Sequence, residues 1–246
     1  MLIEEARWFA ATLSNIKESH ISPMLDVGSS TEEFRKRQQP WIDRFAFEPL
    51  RQRGVVVVHV DAREGPGVDI IGDISDPRFI AALCNEGFKS VLCTNLLEHT
   101  VNRQEIALAL TRIVSVNGYL FISCPYAFPF HPDPIDTMFR PDVLELARLF
   151  PRTSIVSSDI VNCGTYLGYF LRKMSHQGVL RSAFGPFAPS GERRPRTGLF
   201  ATLAGSWVYR VPWLFRELRV ACLALRKQAC EPSCPSEYPS SARQTQ

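Results

Sequence analysis

Apolar residues along the chain follow two patterns, helical spacing and short continuous runs. The apolar positions of residues 2–13 recur at helical spacing and predict an amphipathic helix at the start. Short apolar runs, too short for core helices, predict seven buried strands, at residues 23–28, 54–61, 68–73, 88–94, 119–124, 154–161 and 218–225. Helical patterns between them predict helices at residues 76–85, 104–114 and 141–150. Segment 31–53 is predicted to be partly helical, with breaks at Pro40 and Pro49.

This alternation of strands and helices predicts an α/β fold. Because each strand is almost continuously apolar, we expect a parallel sheet that is covered by helices on both faces. Residues 1–227 are predicted to form one domain, with an insertion at residues 164–217 and a disordered Pro/Ser-rich tail at residues 228–246.

Composition narrows the class of protein. A hydrophobic content of 45% is too high for a disordered chain. The seven cysteines are odd in number and irregularly spaced, which is typical of a reduced compartment rather than of a disulfide framework. The chain starts with acidic rather than basic residues and lacks an apolar stretch of about 18 residues, the length that a membrane-spanning helix needs. We therefore expect a cytoplasmic protein.

The net charge of +3 hides a division between the two parts of the chain. Residues 1–163 carry 16 basic and 21 acidic side chains, a net charge of −5, whereas residues 164–246 carry 12 and 4, a net charge of +8. Within residues 164–217 the basic residues alternate with aromatic ones, as in a lid over an anionic or sugar-bearing substrate. Residues 198–217 could instead contact a membrane surface peripherally.

In an open parallel sheet, ligands bind beyond the carboxyl ends of the strands, so the residues found there are informative. These residues are Asp26-Val27-Gly28-Ser29-Ser30 after the first strand, Asp61 after the second, Asp73-Ile74 after the third and Asn95-Leu96-Leu97-Glu98-His99 after the fourth. An Asp in a loop most often caps a helix or closes a turn. Three acidic residues at three consecutive strand ends are much less easily explained in that way.

These segments resemble the motifs of the class I S-adenosylmethionine-dependent methyltransferases over about residues 20–162 and again at the last strand. The resemblance implies a Rossmann-like, mostly parallel seven-stranded sheet with an antiparallel last strand, and S-adenosylmethionine as cofactor. It departs from the family in the glycine-rich turn, where Ser30 and Glu32 stand in place of the second and third glycines.

The resemblance also implies a cofactor site, for which the predicted residues are Asp26, Gly28, Ser29, Asp61, Asp73, Ile74, Asn95 and Leu96. Asp61 would accept hydrogen bonds from both ribose hydroxyls, and Asp73 would accept one from the adenine amino group while Ile74 packs on the ring. Gly28 would let the backbone approach the cofactor, and Asn95 would contact the methionine amino group.

Two other classes of protein stay open from the sequence. A dinucleotide-binding fingerprint needs G-x-G-x-x-G and an acidic residue about 20 positions later, but only Gly28 is present and Asp61 follows 33 positions after it. Residues 35–41 could nevertheless contact a pyrophosphate, so an NAD(P)-dependent oxidoreductase is the second alternative. The first is a non-catalytic scaffold at a membrane surface that has kept the fold, since Ser30 departs from the glycine pattern.

The loop at residues 125–141, rich in proline and aromatic residues, is the most distinctive stretch. Its H-x-D-P-x-D segment resembles loops of a methyltransferase subgroup that is associated with sugar and polysaccharide clusters. We predict His131 as a general base, oriented by Asp133 or Asp136, although these residues could equally tie the loop to its own backbone. No metal site is predicted, because these three residues lack a further spaced ligand.

The predicted function is therefore O-methylation of a small-molecule or glycan acceptor, such as a sugar or a glycolipid-like molecule. Nucleic acid is not expected as a partner, because the sheet-forming part of the chain is acidic. The sequence does not specify an oligomeric state. Glu98 could contact the cofactor and His99 the substrate, or both could cap a helix that starts near Val101.

Overall fold

A computed structural model describes residues 1–131, 135–176 and 211–229. The strands are β1 (Met24–Val27), β2 (Val57–Asp61), β3 (Ile70–Ile71), β4 (Ser90–Thr94), β5 (Tyr119–Ala127), β6 (Thr153–Thr165) and β7 (Glu217–Lys227). The α-helices are α1 (Ile3–Ser14), α2 (Glu18–Ile21), α3 (Glu48–Gln52), α4 (Pro77–Cys84), α5 (Arg103–Ile113), α6 (Val143–Arg148) and α7 (Tyr166–His176). Two wide helical segments with π-type hydrogen bonds, Phe34–Gln38 and Ile42–Phe47, connect β1 to α3.

The strands form one sheet in the order β3-β2-β1-β4-β5-β7-β6. Six strands run in the same direction, and β7 is antiparallel to both of its neighbours, β5 and β6. The predicted fold class is therefore confirmed, including the antiparallel last strand. The order of the strands reverses between β1 and β4, which is where such a sheet opens a ligand-binding crevice.

Two apolar clusters cover the two faces of the sheet. Side chains alternate along each strand, so that Leu92 of β4 packs on one face while its neighbours Val91 and Cys93 pack on the other. Helices α4, α5 and α6 cover the face of Val91, and α1, the two wide segments, α3 and α7 cover the face of Leu92. Both faces are buried, which explains why the strands read as continuous apolar runs.

Several predicted boundaries were wrong for local reasons. Strand β2 starts at Val57 rather than at Gly54, because Gly54 adopts a positive φ of 77° in the turn that ends α3. The predicted third strand keeps only two residues, whereas β6 continues to Thr165 because β7 pairs with it over that whole length. Pro49 does not break the helical segment: it lies in the first turn of α3, where its missing N–H group is tolerated.

The predicted insertion begins with α7 and ends with a short 3-10 turn, Val211–Trp213. Trp213 packs against the core, and Phe215 is 81% exposed. Of residues 198–217, which the sequence suggests for membrane contact, positions 198–210 lie outside the described part of the chain, as do residues 177–197 and 230–246. Among the helices that are described, none has the length and apolar character needed to cross a bilayer.

Candidate functional site

A cleft of about 900 Å³ opens at the carboxyl ends of the strands β1 to β5. All eight residues predicted to bind the cofactor line it, and so does His131. Of the other predicted catalytic residues, Asp136 is buried behind His131, and Asp133 lies outside the described residues. The structure thus brings the two predicted sets of residues to one cavity, of a size typical for ligand sites.

The turn after β1 contains two residues with positive φ angles. Gly28 has a φ of 73°, and a Cβ atom there would lie 3.4 Å from the side chain of Leu96. Ser30, at the position where the family has glycine, adopts a φ of 54°, a left-handed conformation that is costly for a residue with a side chain. The departure in sequence therefore leaves the glycine-like backbone conformation of the turn intact.

The buried side chain of Arg35 holds this turn through hydrogen bonds to its carbonyl groups. This side chain, only 4% exposed, donates hydrogen bonds to the carbonyl oxygens of Ser29 (2.9 Å), Ser30 (2.6 Å) and Gly67 (2.6 Å). Burial lowers the pKa of the guanidinium from its usual value. Its basic neighbours Lys36 and Arg37 pair with Glu32 and Glu33 on the surface. These internal partners weaken the case for a pyrophosphate site at residues 35–41.

We expect Arg35→Met to destabilise the protein much more than Arg37→Met. Loss of Arg35 removes the charged donor from three carbonyl groups, of which only that of Ser30 keeps a second donor among the described residues, the hydroxyl of Ser29. Hydrogen bonds to charged groups contribute about 1.5–3 kcal/mol each. Arg37 forms an exposed ion pair with Glu33, a class that contributes about 0–1 kcal/mol. Urea denaturation should show this difference in the free energy of unfolding. Equal effects of the two substitutions would mean that Arg35 does not hold the turn.

Asp61 and Asp73 each have carboxylate oxygens that are partly used within the protein. Asp61 accepts hydrogen bonds from the N–H groups of Ser30 (2.8 Å) and Arg63 (3.0 Å), one on each oxygen. Asp73 accepts from the N–H and the hydroxyl of Ser75 on one oxygen, which lowers the pKa of its carboxyl. Since a carboxylate can accept about four hydrogen bonds, both groups retain acceptor capacity toward the cleft.

Asp26 and His59 form a pair that the sequence did not suggest. They are cross-strand neighbours in the register of β1 and β2, and Asp26 Oδ2 lies 2.8 Å from His59 Nδ1. Asp26 is 5% exposed and lines the cleft. The imidazole thus fixes one oxygen of the carboxylate at the base of the cleft.

Asn95 is oriented by a buried carboxylate of helix α1. Its Nδ2 donates to Glu5 Oε1 at 2.8 Å, and the hydroxyl of Ser123 donates to the same oxygen at 2.5 Å. The other carboxylate oxygen of Glu5, a fully buried residue, accepts from the N–H of Leu2 at 2.7 Å. Because Nδ2 is used in this way, the amide oxygen of Asn95 is the atom left to accept from a ligand.

Asp136 contacts His131, the residue that the sequence predicts as a general base oriented by Asp133 or Asp136. His131 Nδ1 lies 3.1 Å from both Asp136 Oδ2 and the carbonyl oxygen of Pro129, and the backbone N–H of His131 also donates to Asp136. Burial alone would raise the pKa of Asp136, but its ion pair with Arg140 and its backbone hydrogen bonds lower it. Burial lowers the pKa of His131. Asp136 therefore both ties the loop together and fixes the imidazole, so the two interpretations are compatible.

Glu98 and His99 face the same end of the cleft as His131. They lie in the 3-10 turn Leu97–His99, and α5 begins only at Arg103, so neither residue caps that helix. Glu98 is fully buried, and burial raises the pKa of its carboxyl to about 7. The imidazole rings of His99 and His131 pack edge to face, 5.1 Å apart.

Sequence reasoning considered Arg35, which lines the cleft, only as part of a possible pyrophosphate contact. It missed three residues that support the cleft from behind: Glu5, His59 and Ser123. Each is a polar residue inside a segment that reads as core or as charged surface. The sequence contains one possible signal, which is Glu5 on the apolar face of the amphipathic helix α1. Its partners in this fold are 90 and 118 positions away, so the pattern could not identify them.

Many solved structures share this architecture, and two of them serve as examples. One, from Galdieria sulphuraria, is described as a sarcosine dimethylglycine methyltransferase: it is 11% identical, with a TM-score of 0.52, over 91% of this chain and 85% of that chain. The other is coclaurine N-methyltransferase bound to N-methylheliamine and S-adenosylhomocysteine, 15% identical, with a TM-score of 0.51, over 88% of this chain and 70% of that chain. No family model and no curated protein sequence matches the chain. The structure therefore has the fold of the class I S-adenosylmethionine-dependent methyltransferases.

Proposed function

We propose that this protein is an S-adenosylmethionine-dependent methyltransferase that methylates a hydroxyl group of a sugar or glycolipid-like acceptor. The observation that carries the proposal is the meeting of two predicted sets of residues in one cleft. The eight residues chosen as cofactor contacts lie on four different strand ends, yet all line the cavity that His131 also lines.

One end of the cleft suits the cofactor. Asp61 would bind the ribose hydroxyls through charge-assisted hydrogen bonds, with Asp73 and Ile74 beside the adenine. The amide oxygen of Asn95, oriented by Glu5, would accept from the methionine ammonium group. Acidic side chains on this side also favour a cofactor that carries a positive sulfonium.

The other end suits a hydroxyl-bearing acceptor with an apolar face. Phe128 lies next to His131, with 5.0 Å between ring centroids, and Tyr169 of α7 lies 6.5 Å from Phe128. All three side chains line the cleft. Aromatic walls with a few polar groups are typical of small-molecule sites and fit the flat face of a sugar ring.

Methyl transfer from a sulfonium is an in-line displacement, so the protein mainly aligns the two reactants. The acceptor oxygen forms a bond to the methyl carbon while the carbon–sulfur bond breaks, and the electron pair of that bond stays on the sulfur of S-adenosylhomocysteine. The hydroxyl must also lose its proton. We assign activation of the hydroxyl to His131, which faces the acceptor end with its ring fixed by Asp136 and Pro129.

The first test is cofactor binding by isothermal titration calorimetry. We expect the purified full chain to bind S-adenosylhomocysteine and not NAD, because Arg35 and its neighbours are engaged within the protein. Binding of NAD without binding of S-adenosylhomocysteine would contradict the proposal and favour the oxidoreductase. Binding of neither would favour the scaffold.

A further inference from the structure

Glu98, His99 and His131 converge at the acceptor end of the cleft. One possible ligand atom from each residue lies within 4.8 Å of the others. Glu98 is fully buried, and the side chains of His99 and His131 are 18% and 23% exposed. All three residues line the cleft, so a group bound between them would also face an acceptor.

Both imidazole rings are held through the same ring nitrogen. His99 Nδ1 lies 2.5 Å from the carbonyl oxygen of Ile135, and His131 Nδ1 lies 3.1 Å from that of Pro129. A carbonyl oxygen can only accept, so each Nδ1 carries a proton, and in the neutral imidazole Nε2 then has a free lone pair. Histidine ligands of metal ions are almost always fixed in this way, through the other ring nitrogen.

The carboxylate of Glu98 has one oxygen without a hydrogen bond. Its Oε2 accepts from the thiol of Cys124 at 3.7 Å, whereas Oε1 is buried and has no hydrogen-bond partner among the described residues. The nearest ring nitrogen, His99 Nε2, is 3.7 Å from Oε1, beyond hydrogen-bond distance. A buried carboxylate oxygen without a partner is costly, and a cation at this position would satisfy it.

The two segments that carry these residues are joined to each other. The backbone N–H and the hydroxyl of Thr137 both donate to the carbonyl oxygen of Glu98, at 2.9 Å. The loop after β5 is thereby fixed against the turn after β4. The arrangement of the three side chains therefore depends on backbone contacts and not only on their own rotamers.

We infer that Glu98, His99 and His131 bind a divalent transition-metal cation at the acceptor end of the cleft. Two imidazoles and one carboxylate suit zinc, iron, cobalt or manganese better than magnesium or calcium, which prefer oxygen ligands alone. Asp136 is not part of this set, because Arg140 occupies both of its oxygens.

This inference rests on the proposed function and gives His131 a more specific role in it. Three protein ligands leave coordination positions open for the acceptor hydroxyl, which a bound cation would make more acidic. The hydroxyl proton would leave to water, and the resulting alkoxide would attack the methyl carbon. His131 would then act on the hydroxyl through the cation rather than by taking the proton directly.

The test is Co²⁺ binding by the purified full chain after dialysis against a chelator, followed by the visible absorption of the bound ion and by calorimetry. We expect the wild type to bind one Co²⁺ ion. The affinity for Co²⁺ should fall by more than about 100-fold in His99→Ala and in Glu98→Gln, since loss of a residue that only supports a ligand costs about 10- to 100-fold. His20→Ala, which removes an exposed histidine of α2, should bind like the wild type. Circular dichroism checks that each variant is folded.

Two results would overturn the inference: a wild type that binds Co²⁺ no more tightly than His99→Ala, or tight binding that neither substitution weakens. S-adenosylhomocysteine binding, measured on the same samples, separates this outcome from a failure of the proposed function. If the wild type binds S-adenosylhomocysteine but not Co²⁺, the proposed methyltransferase function stands and the metal site is rejected. If the three residues bind Co²⁺ but the protein does not bind S-adenosylhomocysteine, the metal site stands and the proposed methyltransferase function is rejected.

Discussion

Replacement of His131 with alanine is expected to slow methyl transfer by about 10²- to 10⁴-fold, the contribution of a positioned group that activates a hydroxyl. S-adenosylhomocysteine affinity should stay within about twofold of the wild type, because the predicted cofactor contacts lie at the other end of the cleft. The measurement uses methyl-labelled S-adenosylmethionine and a panel of glycosides, sugar phosphates and nucleotide sugars. The rate is then compared on the acceptor that the wild type methylates best.

The matched control is His20→Ala, which removes an imidazole from the surface and should leave the rate unchanged. Asp136→Asn is the intermediate case: it keeps the shape of the carboxylate but weakens its hold on His131 and on Arg140. We expect a smaller loss of rate for this variant than for His131→Ala. Normal methyl transfer by His131→Ala would show that His131 only shapes the loop.

Replacement of Asp61 with alanine should weaken S-adenosylhomocysteine binding by at least about 100-fold. In the proposed site, the variant would lose two charge-assisted hydrogen bonds to the ribose, each contributing about 1.5–3 kcal/mol. It also loses the acceptor of the Ser30 N–H, so the turn after β1 would relax out of its strained conformation. Calorimetric titration measures the affinity, and thermal unfolding measures the accompanying loss of stability.

Asp159→Ala supplies the comparison for this experiment, because Asp159 is exposed on β6 and does not line the cleft. Its affinity for S-adenosylhomocysteine should match that of the wild type. If Asp61→Ala binds S-adenosylhomocysteine as tightly as Asp159→Ala does, the ribose is not bound at the end of β2, and the proposed cofactor site is wrong.

The order of the elements could be predicted from the sequence because local physics determines it. The apolar run within residues 88–94 predicts a strand that is buried on both faces, as β4 is at residues 91–93, and Asp76-Pro77 starts a helix by capping and by the fixed φ of proline. Strand ends were less predictable, since β3 and β6 obtain their lengths from pairing partners elsewhere in the chain.

The candidate site also contains some residues that could be predicted from the sequence and some contacts that could not. Asp61 and Asp73 could be placed from sequence, because a residue directly after a strand must lie at that edge of the sheet. The supporting contacts could not: the partners of Glu5, Arg35 and Glu98 depend on which distant segments meet. Glu98 and His99 stand 32 or more positions before His131, so no local spacing marks the three as one cluster.

The position of β7 has a consequence for synthesis of the chain on the ribosome. This strand is the last one made, yet it fills the gap between β5 and β6, which are completed more than 50 residues earlier. Until β7 emerges, a nascent chain exposes the hydrogen-bonding edges of both strands, the kind of surface on which partly made proteins aggregate. Non-local pairing of this kind also slows folding. Ribosome stalling or premature termination in residues 166–216 would therefore yield chains that depend on chaperones.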